Sequence, residues 1–362
     1  MPSSLQDLAS FAPQVVAWQR THGRHHLPWQ NTQDPYRVWL SEIMLQQTQV
    51  ATVLAYYTRF LERFPTVASL AKAEQEDVMP YWAGLGYYAR ARNLHRCAQT
   101  VMLQWDGQFP TQAEQLASLP GIGRSTAAAI AAFCFGARTP IMDGNVKRVF
   151  TRYFGVYGET QKRAVEQALW TIAEDIVAQA PGTLDMAAYT QGLMDLGSQC
   201  CTRTKPDCQR CPLQSNCYAR LHQVQNELPT KKQRKQQDER YCHMLIVRSG
   251  DEILLEQRPD QGIWGGLLSL PEVSDENELM SLARHYDPHA EPIRLASFQH
   301  VFSHFKLHIS PWLCQVKLPM LAEPQTKHSL WMPTNKLDQA ALPAPVRKVL
   351  DGLFPPSETA LF

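Results

Sequence analysis

Four cysteines fall within seventeen residues as Cys201-x6-Cys208-x2-Cys211-x5-Cys217, with Pro206 and Pro212 between them. Four thiolates in so short a loop suit a zinc ion or an iron–sulfur cluster, and the spacing alone does not choose between them. Cys200 stands beside this pattern but outside it, as an ordinary thiol at a helix end. A second chemical feature is Glu42, flanked by Trp39, Leu40, Ile43 and Met44 at helical spacing. Desolvation by such neighbours raises a carboxyl pKa and leaves a proton to donate near neutral pH. The run Pro120-Gly121-Ile122-Gly123 is a tight turn, and the N–H groups that open the helix after it can hold one phosphate. Asp143, just before Gly144, is by itself a helix cap.

The elements that must position these groups divide into two regions. The 362 residues allow two domains of ordinary size. A formal net charge of +1 means that any basic surface is local. The sequence shows no basic start followed by an apolar core, and its longest apolar stretch, Thr126 to Ala137, is too short for a bilayer of ~30 Å. A cytoplasmic protein is expected, in which clustered cysteines favour metal over disulfides.

Up to about residue 225 the pattern is helical. Asp34 and Pro35 open one helix, Thr111 and Glu114 form a capping box for another that ends near Leu119, and Thr183 caps one running to about Gln199. Residues 226–240 are a polar linker. After it, Cys242–Val247 and Ile253–Glu256 form a hairpin, and Phe305, Leu307 and Ile309 alternate with polar residues as a half-buried strand. The expected architecture is an all-helical domain over 1–225, made of two helical subdomains with the cysteine loop at 201–217, and an α+β domain over 241–355.

The stretch Val38 to Val50 around Glu42, the hairpin followed by Asp143, and the cysteine loop together resemble the MutY-type adenine DNA glycosylases of the helix–hairpin–helix, endonuclease III-like superfamily. The resemblance runs over roughly residues 5–350. It implies base excision repair: hydrolysis of the N-glycosidic bond of adenine mispaired with 8-oxoguanine or guanine in double-stranded DNA, by a monomer. Glu42 is then the proton donor to the base. Asp143 stabilises the positive charge that develops on the sugar, and Asn145 joins them as the third catalytic residue. Cys201, Cys208, Cys211 and Cys217 hold one [4Fe–4S] cluster. Trp29, Leu45, Val50 and Gln191 line the adenine pocket. Residue 25 is His where relatives often carry Arg or Lys. Gln47, Thr48, Leu85, Tyr87 and Tyr88 meet the opened duplex, with Leu85 and Tyr87 as wedges. Gly121, Gly123, Arg124, Ser125 and Lys147 meet the backbone.

Endonuclease III, the bifunctional glycosylase/lyase alternative, has a lysine where Ser125 stands, and that amine attacks the sugar. Its absence argues against strand cleavage. A zinc-stabilised DNA-binding scaffold and a non-catalytic lesion binder are further alternatives; the second is disfavoured by the presence of both Glu42 and Asp143. The C-terminal region resembles a MutT-like (Nudix) domain through Trp264 to Glu272. The acidic cluster that follows in magnesium pyrophosphatases is missing from Val273–Glu278. The resemblance assigns this domain to reading 8-oxoguanine through Phe302, Ser303 and His304.

Overall fold

Asp34 Oδ1 accepts the Tyr36 N–H at 2.9 Å and Pro35 fills the first turn, so a helix spans Pro35–Leu45. It buries Val38, Trp39, Leu40, Ile43 and Met44. The computed structural model describes residues 8–232, 237–317 and 329–355. The expected linker, 226–240, thus lies partly outside the described residues, at 233–236, and so does 318–328 of the expected C-terminal domain.

Contacts divide the chain into two compact units. The first takes the residues up to Lys72 and those from Asn93 to 232. Its central element is the alanine-rich helix Arg124–Phe135, which buries Ala127 to Ala132 and packs against Pro35–Leu45, Ala113–Ala117 and Met186–Asp195. Small side chains let these helices approach closely. A second core gathers Phe11, Val149, Phe150, Tyr153 and Trp170 from the helices Leu8–His22, Gly144–Phe154 and Arg163–Gln179.

Two expected caps differ. The helix after Thr111 runs over Ala113–Ala117 with Gln112 at the cap and no side-chain cap bond, because Thr111 lies one residue too early. The cap near Thr183 is Asp185, which accepts the Ala188 N–H at 3.0 Å; the helix Met186–Asp195 then passes into a π turn, Leu196–Cys200.

The second unit takes Ala73–Arg92 and the residues from 237 onward. Its sheet is built on a long parallel pair, Asp238–Ser249 with Phe305–Gln315, in register from Asp238 opposite Phe305 to Arg248 opposite Gln315. Phe305, Leu307 and Ile309 are buried as their alternation predicts. Glu252–Gln257 returns antiparallel beside the first strand, with Ser249 opposite Glu252, which is the expected hairpin. The helix Glu276–Tyr286 covers the sheet with Leu279 and Ala283. Asp275 caps that helix, Glu278 accepts from Ser274, and Glu276 pairs with Arg294, so these carboxylates are used locally. Among the described residues no helix is long and apolar enough to cross a membrane.

Candidate active site

The helix Pro35–Leu45 presents Glu42 to a cavity of about 430 Å³ whose wall also contains Trp29, Gln191, Gln30, Arg24 and His25. Burial, with a smaller contribution from the nearby Asp143 charge, lifts the Glu42 carboxyl from 4.5 to about 8. It is therefore protonated at neutral pH while facing a space large enough for a planar base. Trp29 packs edge-on against Tyr57, with ring centroids 5.2 Å apart. Leu45 and Val50 are not in this wall: the helix ends at Leu45, and Val50 opens the next one, Val50–Arg63.

One part of the pocket was not foreseen. Asp195 is fully buried and binds Arg24 through Nη2 at 2.6 Å, Nε at 2.7 Å and the backbone N–H at 2.8 Å. It also accepts from Gln191 Nε2 at 2.9 Å, which fixes the amide that faces the cavity. Asp195 follows Gln191 by one helical turn, a spacing visible in sequence; its ion pair with Arg24 crosses 171 positions and is not. His25 Nε2 lies 3.0 Å from Gln19 O.

Asp143 caps the helix Gly144–Phe154, its Oδ1 accepting from Val146 N at 2.7 Å. Asn145 Nδ2 donates to Asp143 Oδ2 at 3.1 Å. Burial pushes the Asp143 carboxyl up, and these hydrogen bonds and Arg148 oppose the rise. Arg148 joins the loop to the cysteine segment, donating to Asn145 Oδ1 at 2.8 Å, Gly197 O at 2.6 Å and Cys201 O at 2.8 Å.

In the hairpin, Gly121 has φ +77°, and a Cβ there would lie 2.7 Å from Asn93 Cβ, so the turn needs glycine. Gly123 caps the following helix. Ser125 Oγ accepts from Met142 N at 3.0 Å and ties the hairpin to the Asp143 loop. Arg124 pairs with Glu174 and lies over the Trp170 ring, and Lys147 Nζ pairs with Glu166 at 2.6 Å. Both cations, expected to meet phosphate, have intramolecular partners here.

Cys201, Cys208, Cys211 and Cys217 line one small apolar cavity. Cys200 lines it too, hydrogen-bonded to Cys211 and donating to Asp207 O at 3.2 Å. Arg152, only 2% exposed, donates to Cys201 Sγ at 3.3 Å, Thr202 O at 2.7 Å and Leu228 O at 2.9 Å. Burial pushes the Cys201 thiol up, and the Arg152 guanidinium beside it opposes the rise. Among the described residues no three His, Cys, Asp or Glu side chains converge as they would on a single metal ion.

In the second unit, Tyr87 is 51% exposed and held at φ +48°. Arg90 donates to Leu85 O at 3.1 Å and Gly86 O at 3.2 Å and lies over the Tyr87 ring, so the loop is preformed. Leu85 and Tyr88 are buried, and Tyr87 between them is the exposed side chain. Gln47, in the first unit, is exposed with φ +59°, and Thr48 beside it is half-buried. Ser303 and His304 are exposed at the turn between Phe298–Val301 and Phe305–Gln315. Phe302 anchors them, stacked on Phe305 with centroids 4.5 Å apart and 5.5 Å from Trp264.

Residues 40–175 match the HhH-GPD superfamily of base excision DNA repair proteins, and residues 242–352 match the NUDIX domain. The chain is 35% identical to the adenine DNA glycosylase of Buchnera aphidicola subsp. Acyrthosiphon pisum (strain APS), over 94% of this chain and 97% of that one. It is 32% identical to the adenine DNA glycosylase of Homo sapiens, over 95% of this chain and 74% of the human protein. A solved structure of a thermostable thymine-DNA glycosylase, 28% identical, superposes with a TM-score of 0.53 over 59% of this chain and 97% of that one. With a protonated glutamate at a base-sized cavity, a capped aspartate beside it and these relatives over nearly the full length, the chain belongs to the MutY-type adenine DNA glycosylases, base excision repair enzymes with a helical HhH-GPD domain followed by a Nudix-like one.

Proposed function

We propose that the chain excises adenine paired with 8-oxoguanine or guanine in double-stranded DNA and leaves an intact abasic site. The observation that carries this reading is the Glu42 carboxyl, lifted to about 8 at the cavity wall. Adenine leaves poorly unless a ring nitrogen is protonated, and Glu42 holds the proton at the pH of the reaction. As the glycosidic bond lengthens, the sugar becomes cationic. Asp143, oriented by Val146 N and Asn145, supplies the compensating negative charge. Glu42, having lost its proton to the base, accepts one from the attacking water. Trp29 packs against the extruded base and the Gln191 amide, fixed by Asp195, meets its polar edge.

No amine stands at Ser125, whose hydroxyl is engaged with Met142 N, and Lys147 is paired with Glu166. Both facts support a hydrolytic enzyme without efficient lyase activity. Cys201, Cys208, Cys211 and Cys217 would hold a [4Fe–4S] cluster. Four thiols around one cavity supply the donor set that such a cluster takes. When bound, the cluster cross-links the loop, and Arg203, Lys205 and Arg210 on it would face phosphates.

We infer that residues 1–225 form the catalytic domain, that 241–355 read the oxidised base through Ser303 and His304, and that the protein acts as a monomer on chromosomal DNA in the cytoplasm. Tyr87 fills the gap in the opened duplex and Gln47 probes the opposite base. Incubation with duplexes carrying adenine opposite 8-oxoguanine, guanine, cytosine or thymine, followed by alkali, tests the reading. Excision is expected opposite 8-oxoguanine and guanine, with breaks only after alkali. Equal excision opposite thymine, or strand breaks without alkali, would overturn it.

A further inference from the structure

The segment that carries Tyr87, Ala73–Arg92, belongs by its contacts to the unit built on the C-terminal sheet. Polar contacts join them. Arg92 Nη1 donates to Gly265 O at 2.5 Å, Gln75 Nε2 to Asp260 Oδ1 at 3.3 Å, and Gln257 Nε2 to Glu76 Oε1 at 3.4 Å. The receiving turn is shaped for close approach. A Cβ on Gly265 would lie 2.3 Å from Asp260 O. Gly266 has φ +77°, and a Cβ there would stand 3.2 Å from Asp260 Oδ1 and 3.6 Å from Gln75 Nε2. Arg258 braces the turn, donating to Ile263 O at 3.1 Å and pairing with Glu272 at 2.6 Å. Trp264, the next residue of the turn, packs against Phe302, the anchor of Ser303 and His304.

One turn, residues 258–267, therefore touches the base of the Tyr87 segment and the anchor of the Ser303–His304 loop. We propose that this turn sets the register between the two loops, with Gln75 and Arg92 as positioning residues that hold Tyr87 where the Ser303–His304 loop engages the orphaned base. The proposal rests on the wedge role given to Tyr87 above. Tyr87 lies on the same segment as Gln75 and Arg92, so displacement of that segment moves the ring without altering it. Arg92 supplies a charge-assisted bond, the stronger of the two lost in the double variant.

The test uses full-length protein and a duplex with 2-aminopurine in place of the target adenine, opposite 8-oxoguanine. Fluorescence reports unstacking, a titration reports affinity, and thermal unfolding reports the fold. Tyr87→Ala should lose most of the fluorescence rise. Gln75→Ala with Arg92→Met should lower affinity about tenfold and reduce the rise, with unfolding temperature held within a few degrees. Arg92→Lys, which keeps a donor for one carbonyl, should restore most of both. If the double variant unstacks the base like wild type while Tyr87→Ala does not, the seating role is wrong and the wedge stands. If Tyr87→Ala also behaves like wild type, the wedge reading and the proposal fall together. A loss that tracks a fall in unfolding temperature and is not restored by lysine would mark a purely structural contact and overturn the proposal.

Discussion

Replacing Glu42 by Gln keeps the side chain's shape and removes its ionisable proton. In the folded chain this carboxyl sits at about 8, raised from 4.5 mainly by burial and secondarily by Asp143. Between those two values the folded protein holds a proton that the unfolded chain has released. Stability must then fall as pH rises through that window, fully kept below the unfolded value and lost on approach to the folded one. At ~1.4 kcal/mol per pH unit, going from pH 5 to pH 8 costs the wild type on the order of 3 kcal/mol that the Gln variant does not lose. For a domain of this size each kcal/mol moves Tm by roughly 2–4 °C, so the advantage of Glu42→Gln should widen by several degrees. Helix unfolding followed by circular dichroism at pH 5, 6.5 and 8, at one scan rate, measures it. Groups that do not interact with residue 42 titrate alike in the two proteins, so the difference reports Glu42 together with its coupling to Asp143. The same variant should lose ~10²-fold or more in single-turnover excision, and wild-type excision should decline above about pH 8. A stability difference independent of pH, or near-normal excision by the Gln variant, would refute the proton-donor reasoning.

Three further outcomes are expected. Ser125→Lys places an amine near the Asp143 loop but breaks the bond to Met142 N, so it should gain a borohydride-trappable adduct while losing roughly 1 kcal/mol of stability; no adduct above the wild-type level would show that more than the amine is missing. Cys208→Ser or Cys211→Ser should yield colourless, poorly soluble protein with weaker DNA binding, because metal binding and loop folding are coupled; a brown Cys211→Ser protein would remove that residue from the ligands. Ser303→Ala with His304→Ala removes hydrogen bonds worth ~0.5–1.5 kcal/mol each. The ratio of excision opposite 8-oxoguanine to that opposite guanine should drop several-fold, and an unchanged ratio would move lesion reading elsewhere, to Gln47 and Tyr87.

Local patterns were legible in the chain because local physics controls them. Asp34 and Asp143 cap helices as their positions ahead of Pro35 and Gly144 suggest, and Gly121 turns the hairpin where only glycine fits. The alternation through Phe305, Leu307 and Ile309 set which face of the strand is buried. The apolar flanks of Glu42 foretold its raised pKa, since desolvation follows from the helix face on which it lies. Other features depended on pairs far apart in sequence, whose energies exist only once the fold brings them together. The Arg24–Asp195 ion pair that fixes Gln191 is one, and the pairing of Arg124 with Glu174 and of Lys147 with Glu166 is another. Leu85 and Tyr87, two residues apart in one glycine-rich loop, part company because the backbone there turns one side chain under and the other out. Leu45 and Val50 fall outside the cavity wall for a related reason, the break between two helices at Gln46 to Gln49. The sequence by itself determined the chemistry available to this protein, its acid, carboxylate and thiols; only tertiary structure decided which of their neighbours face that chemistry, because burial and long-range pairing are properties of the folded chain.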